Sequence, residues 1–273
     1  MEKNKKYSDG FFSIRTQVNP IYAVFLGSIP ILAILFVWVY LTKGYPVETR
    51  IISPTILPSP IEVMDSFKEL WFERELSINA VFSIRRVLYG FLIAAAISVP
   101  LGVLMGTFSK INAMFNPLSV IGGYLPIAAL VPLTLSWFGI GEFQKIMFLA
   151  IATFLYLLPL IVKSVNDVDD IFVNTALTLG ANKIQILIKV LLSISLFDIY
   201  NSLRLAFGVG WTYIILAEMV DAKKGLGQLI LSSQRIGPRE HIYLVLIAII
   251  LIGFVIDKLW ESGGKLLFSY KER

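Results

Sequence analysis

The chain has 273 residues, 56% of them hydrophobic and 16% charged, with a mean hydropathy of +0.76. Charged residues make up about a quarter of a soluble domain, so this composition excludes an ordinary soluble fold. The net charge of +5 reports orientation in a membrane protein, and no nucleic-acid partner is expected. With no Cys and the single His241, disulfides, thiol nucleophiles and Cys- or His-clustered metal sites are excluded as well.

In chain order, Ile21–Leu41 is free of charge and long enough to cross a bilayer, which takes about 20 helical residues. It is too long for a signal peptide. Lys3, Lys5, Lys6 and Arg15 precede it and place the N-terminus in the cytoplasm. Pro46, Pro54, Pro58 and Pro60 make the next stretch extended. Val63, Phe67, Leu70 and Trp71 then predict an amphipathic surface helix over Glu62–Leu76.

The second span is expected at Val87–Ser109, kinked at Pro100 and Gly102. Arg85 and Arg86 at its outer end run against the positive-inside pattern. Ile111–Gly141 is too long for one straight helix, and Pro117, Pro126 and Pro132 with Gly122 and Gly123 predict a bent or broken one. Further spans are expected at Phe143–Val162, Leu196–Val220 and His241–Trp260, with a glycine- and proline-containing link (Gly225, Gly227, Gly237, Pro238) before the last. Lys258, Lys265, Lys271 and Arg273 end the chain inside. The result is an all-α integral membrane protein of about six spans with both termini cytoplasmic. Its predicted organisation is a tail over 1–20, one transmembrane domain over 21–262, and a tail over 263–273.

Residues 163–195 are a polar, helix-forming insert on the cytoplasmic side. Asp169 or Asp170 can cap a short helix by accepting free backbone N–H groups. Gly180 is a natural stop, and Asn182 with Gln185 has capping-box spacing for a second helix that can run on into the fifth span. Ile171, Phe172, Leu177 and Leu179 form an apolar knob that needs a groove.

The segment Ala176-x-Thr178-Leu179-Gly180-Ala181, between the fourth and fifth spans, resembles the cytoplasmic "EAA" loop of ABC importer permeases. Further motifs resemble the nitrate/sulfonate/taurine/bicarbonate branch of that family. They are Leu57-Pro58-Ser59-Pro60, Arg86-Val87-x-x-Gly90-Phe91, Pro100-Leu101-Gly102, Pro132-Leu133 with Trp137-Phe138-Gly139-Ile140-Gly141-Glu142, Leu203-Arg204-Leu205-Ala206, Ala217-Glu218-Met219 and Gly225-Leu226-Gly227. The resemblance covers roughly residues 55–262. It departs at Asn174, where the family has Glu, at Thr175, where it has Ala, and at Ser193 and Phe197, where prolines are common.

The resemblance implies the type I importer permease fold and a non-catalytic subunit. Asn174, Ala176, Leu179, Gly180 and Ala181 would couple it to a separate ATPase that binds ATP and Mg; no cofactor is expected in this chain. A second permease copy or a related permease, and a substrate-binding protein, complete the expected assembly in the inner membrane. The solute would be a small anion such as nitrate, a sulfonate, taurine or bicarbonate. Consistent with a non-catalytic role, no phosphate-binding loop occurs, since Gly264-Lys265 is followed by Leu266.

Pro126, Pro132, Arg204 and Trp211 are the candidates for the translocation path, because broken backbone at membrane depth is tolerated where it lines a cavity. Helix kinks made for packing are the other reading of the prolines. Arg204 either snorkels to the interface or faces a cavity or a neighbouring helix. Glu218 either faces a docked binding protein or sits in water, and Trp137, Trp211 and Trp260 are read as interface anchors. The alternative function is an ATP-independent channel or secondary transporter, which needs buried ionisable groups in mid-span. A membrane scaffold is a third reading, and it would not need helix breakers in the third span.

Overall fold

Asn19 opens the first helix, α1 (Pro20–Thr42): its side chain accepts the Ile21 N–H at 3.0 Å. Pro20 follows where a missing N–H costs nothing. The computed structural model describes residues 18–44 and 49–269. Lys3, Lys5, Lys6, Arg15, Pro46, Lys271 and Arg273, used above for orientation and chain direction, lie outside the described residues.

The chain divides into two compact units, Met1–Met64 and Asp65–Arg273. In the first, α1 carries apolar side chains exposed along nearly its whole length, the surface expected of a helix lying in lipid. Its indole at Trp38 donates to the Pro58 carbonyl at 2.8 Å. Arg50 grips Glu62 with two hydrogen bonds of 2.8 and 3.1 Å, and the Ser59 N–H adds a third at 2.8 Å. The Arg50 hydrogen bonds, ahead of the opposing effect of burial, hold the Glu62 carboxyl down at about 2.

The expected surface helix over Glu62–Leu76 is not continuous. A short helix, α2 (Pro60–Asp65), ends early, a π-helical turn covers Glu69–Glu73, and Glu75 takes a left-handed φ of 52°. Helix α3 (Leu76–Thr107) therefore starts at Leu76 rather than Val87, and Arg85 and Arg86 lie inside it.

The third hydrophobic stretch is broken as its prolines and glycines predict. α4 (Ser109–Gly123) gives way to a 3-10 turn, Ile127–Ala129, and then to α5 (Leu130–Phe138), with a bend of 92°. Pro132 sits in the first turn of α5, where its missing N–H is tolerated. α6 (Glu142–Asn166) follows, then α7 (Asp170–Thr178) and α8 (Lys183–Gln185). With Ser193 and Phe197 in place of prolines, nothing stops α8. It passes through a π-helical stretch, Ile186–Leu192, into α9 (Ser193–Glu218), making one helix of 36 residues.

The link read as a loop before the last span contains a helix, α10 (Leu226–Ile236). Gly225 and Gly237 bound it rather than dissolve it. α11 (Arg239–Leu267) closes the described chain. Among the described residues, five helices are long and apolar enough to cross a membrane, and the bent pair counted as one span makes a sixth. The described residues contain no strand.

Close approach of α3 and α6 forms the centre of the second unit. Gly90, Ala94, Ser98, Gly102 and Gly106 recur every fourth residue on one face of α3, the pattern that lets membrane helices touch. A Cβ at Gly90, Gly102 or Gly106 would lie 2.7 Å from Leu149, 2.7 Å from Ile161 or 2.6 Å from Val165 of α6. Gly102, read from the sequence as part of a kink, is thus a contact position in a helix that continues through Pro100. Gly102→Leu is expected to destabilise the protein by about 1–3 kcal/mol or more through overpacking. Thermal unfolding of the detergent-solubilised protein tests this, and an unchanged midpoint would refute the seam.

α9 packs on α6 through a Ser164–Ser202 hydroxyl contact of 3.0 Å. It packs on α11 through aromatic side chains. Tyr200 and Phe207 of α9 meet Trp260 of α11, with Phe91 of α3 joining them, at ring separations of 5.2 to 6.1 Å, and the Trp211 indole donates to the Ile249 carbonyl at 3.1 Å. Trp211 and Trp260 therefore pack between helices, whereas Trp137 is exposed.

Candidate functional site

The insert is built by local hydrogen bonds. Asp169 accepts the Ile171 N–H at 2.9 Å and starts α7. At the other end Gly180 adopts φ +79°. The Ala181 N–H returns to the Ala176 carbonyl and the Gly180 N–H to the Leu177 carbonyl, both at 2.9 Å. This pair of bonds is the Schellman closure, which needs a residue free to turn left-handed. Asn182 and Gln185 then exchange side-chain and backbone bonds of 2.9 Å in a complete capping box. Two starts, at Asp169 and Asn182, and one stop between them at Gly180 make the segment stiff.

Its two faces differ. Val173, Ala176 and Ala181 pack against an inner cluster that includes Val103, Leu157, Ile161, Val165 and Ile186. Ile171, Phe172, Leu177 and Leu179 point away, and Leu179 is 83% exposed. Asn174 and Gly180 are exposed too. Of the residues singled out from sequence, Ala176 and Ala181 thus form the foot of the segment, while Asn174, Leu179 and Gly180 lie on its free side. Four exposed apolar side chains on a stiff, polar-capped segment are costly to leave in water and suit a groove on another protein.

The four candidate path residues do not come together. Pro126 lies at the helix break and lines a cavity of about 320 Å³ that Tyr156 of α6 and Tyr213 of α9 complete. Pro132 is exposed one turn further on. Arg204 and Trp211 border a separate, narrow cavity of about 40 Å³ between α9 and α11. There Arg204 pairs with Asp257 through bonds of 2.6 and 2.7 Å, with Glu261 at 3.8 Å. It ties α9 to α11, so it faces a neighbouring helix.

At the end of the second unit opposite the insert lies a cluster of charges that the sequence reading did not assemble. The Arg86 guanidinium donates to Glu142 at 2.6 and 2.7 Å, to Glu218 at 2.6 Å and to the Lys224 carbonyl at 2.6 Å. Glu218 also accepts the Ser83 hydroxyl at 2.7 Å and the Gly227 N–H at 2.8 Å. Ser83 and Asn79 receive the N–H groups of Leu226 and Gly225 at 2.9 and 2.6 Å. Lys145, also buried, donates to the carbonyls of Gly141 and Asp221 at 3.2 and 3.3 Å.

Glu218 is 0% exposed, so it neither faces a docked protein directly nor sits in water. Arg86 is likewise buried, which explains its departure from the positive-inside pattern: it is a paired ion, not an orientation signal. The legible clue was one arginine and two acids standing in otherwise apolar stretches.

Over residues 98–260 the chain matches the family model described as "Binding-protein-dependent transport system inner membrane component". It is 34% identical to a putative ABC transporter permease protein of Methanocaldococcus jannaschii over 250 residues, covering 90% of this chain and 91% of that one. It is 28% identical to the taurine transport system permease protein of Escherichia coli over 225 residues, covering 80% and 82%. Among solved structures, a chain of the inward-facing MetNI methionine ABC transporter has the same fold, with a TM-score of 0.64 and 19% identity over 73% of this chain and 97% of that one.

Proposed function

Because the chain belongs to the family of binding-protein-dependent transport system inner membrane components, and is thus a multi-pass permease subunit of an ABC importer, we propose that its α7 segment seats in a cleft of a separate ATPase subunit. The observation that carries this is the insert itself. It is a rigid, doubly capped turn that presents Ile171, Phe172, Leu177 and Leu179 outward between the two long helices α6 and α8–α9. Asn174, where the family's loop carries Glu, removes one charged anchor, so these apolar side chains carry the attachment. ATP and Mg would be bound by that ATPase and not by this chain.

The rest of the assembly follows from the same reading. A second copy, or a related permease bearing the standard loop, completes the pore, and a substrate-binding protein delivers solute to the face opposite α7. With α7 in the cytoplasm, both termini of the chain are cytoplasmic and the membrane is the inner membrane. The break between α4 and α5, with Pro126 and Pro132, lines the path, since freed backbone groups at membrane depth belong beside a cavity. The solute is a small anion such as taurine, another sulfonate, nitrate or bicarbonate, a choice supported by the taurine permease among its relatives.

Purification of the tagged chain from native membranes tests the reading. An ATPase subunit is expected to accompany it and to be lost when Leu177 and Leu179 are both changed to Ser. Recovery of the chain alone, from membranes in which a control importer keeps its ATPase, would refute it.

A further inference from the structure

Resting on the importer reading above, we propose that Arg86 and Glu218 form a clamp that joins the far ends of the two helices flanking the α7 segment, so that movement of that segment reaches the opposite face as one displacement and carries α10 with it. The connectivity makes the case. α6 ends at Asn166, just before α7, and the helix Lys183–Glu218 begins just after it. These are the two arms that leave the segment, about 37 and 54 Å long at 1.5 Å per residue. Their distant ends are Glu142 and Glu218, and one guanidinium, Arg86 of α3, holds both carboxylates.

The same cluster seizes the link into α10. Three consecutive N–H groups, of Gly225, Leu226 and Gly227, are each bound by a side chain of the cluster, Asn79, Ser83 and Glu218 in turn. Gly225 has φ +137°, and a Cβ there would meet the Glu218 carboxylate and lie 2.6 Å from Arg86 Nη1. The link is thus threaded through the clamp with no room for a side chain. Such a tie exceeds what one helix contact needs. It fixes α3, α6, α9 and the start of α10 as one body, the condition for rigid-body transmission across a membrane domain. Arg86 and Glu218 are in this sense positioning residues for transport and touch no solute.

The absence of cysteine gives a clean test. Ile78 on α3 and Gln234 on α10 are exposed; both are changed to cysteine and spin-labelled in the complex purified with its ATPase. The distance between them within one protomer is measured, in complexes with a single labelled copy of the chain, without nucleotide and with ATP and vanadate. The expected result is one narrow distance, the same in both states, that in Glu218→Gln broadens into more than one population and becomes nucleotide-dependent. A contact that only adds stability would lower the melting temperature of Glu218→Gln and leave the distance narrow, which overturns the proposal. So does a wild-type distance that itself shifts with nucleotide.

If Glu218→Gln fails to insert, Ser83→Ala decides. It keeps every charge and removes only the hydroxyl between Glu218 and Leu226, so broadening supports the clamp and a wild-type distance overturns it. Loss of the ATPase from the wild-type complex would instead refute the importer reading, and this inference with it.

Discussion

Arg86→Leu is expected to destabilise the protein by about 3–5 kcal/mol, the range for stripping one partner from a buried ion pair. The substitution leaves Glu218, with no exposed surface, without its arginine and with the Ser83 hydroxyl and the Gly227 N–H as its remaining hydrogen-bond donors. Glu142 is different. Its side chain is 56% exposed, so water takes over when the arginine goes, and Glu142→Gln should cost well under Arg86→Leu. The double variant Arg86→Leu, Glu218→Leu should recover much of the loss, because a buried pair replaced by apolar side chains leaves no orphaned charge. Thermal unfolding of the detergent-solubilised complex measures the three variants against the wild type. Equal losses for Arg86→Leu and Glu142→Gln, or strict additivity in the double variant, would contradict the buried pairing.

Gly180→Leu is expected to abolish uptake while the protein still inserts and reaches wild-type levels in the membrane. Nothing lies within 4 Å of a Cβ built at Gly180, so no clash arises; the cost is the φ of +79°. A leucine held there loses about 1–2 kcal/mol, enough to favour another turn and break the two Schellman bonds that close α7. The knob then presents Leu177 and Leu179 at the wrong angle to its groove. The spans are untouched, because every bond at risk lies within the insert. Gly180→Asn should keep much of the uptake, since Asn tolerates the left-handed region. Normal uptake in Gly180→Leu, or equal loss in both variants, would remove the basis for a coupling turn.

Local signals in the chain account for every feature set over a few residues. The apolar runs that cross a bilayer, the break near Pro126, and the start and stop of the insert at Asp169, Gly180 and Asn182 were all legible. Each depends on hydropathy or on hydrogen bonds reaching no more than five residues. The stripe Gly90, Ala94, Ser98, Gly102, Gly106 was equally legible by its spacing; reading Gly102 as part of a kink hid it. α10 was missed because the glycines that bound it look like the glycines of a loop.

Tertiary structure alone decided which charges belong together. Arg86 meets Glu142 across 56 residues and Glu218 across 132, and the Trp211 indole finds a carbonyl 38 residues away. In an apolar environment a lone ion or N–H is costly wherever it stands, so the sequence can say that Arg86, Glu218 and Arg204 need partners. Which partners they take depends on how helices pack side by side, α3 against α6 and α9 for Arg86 and Glu218 and α9 against α11 for Arg204.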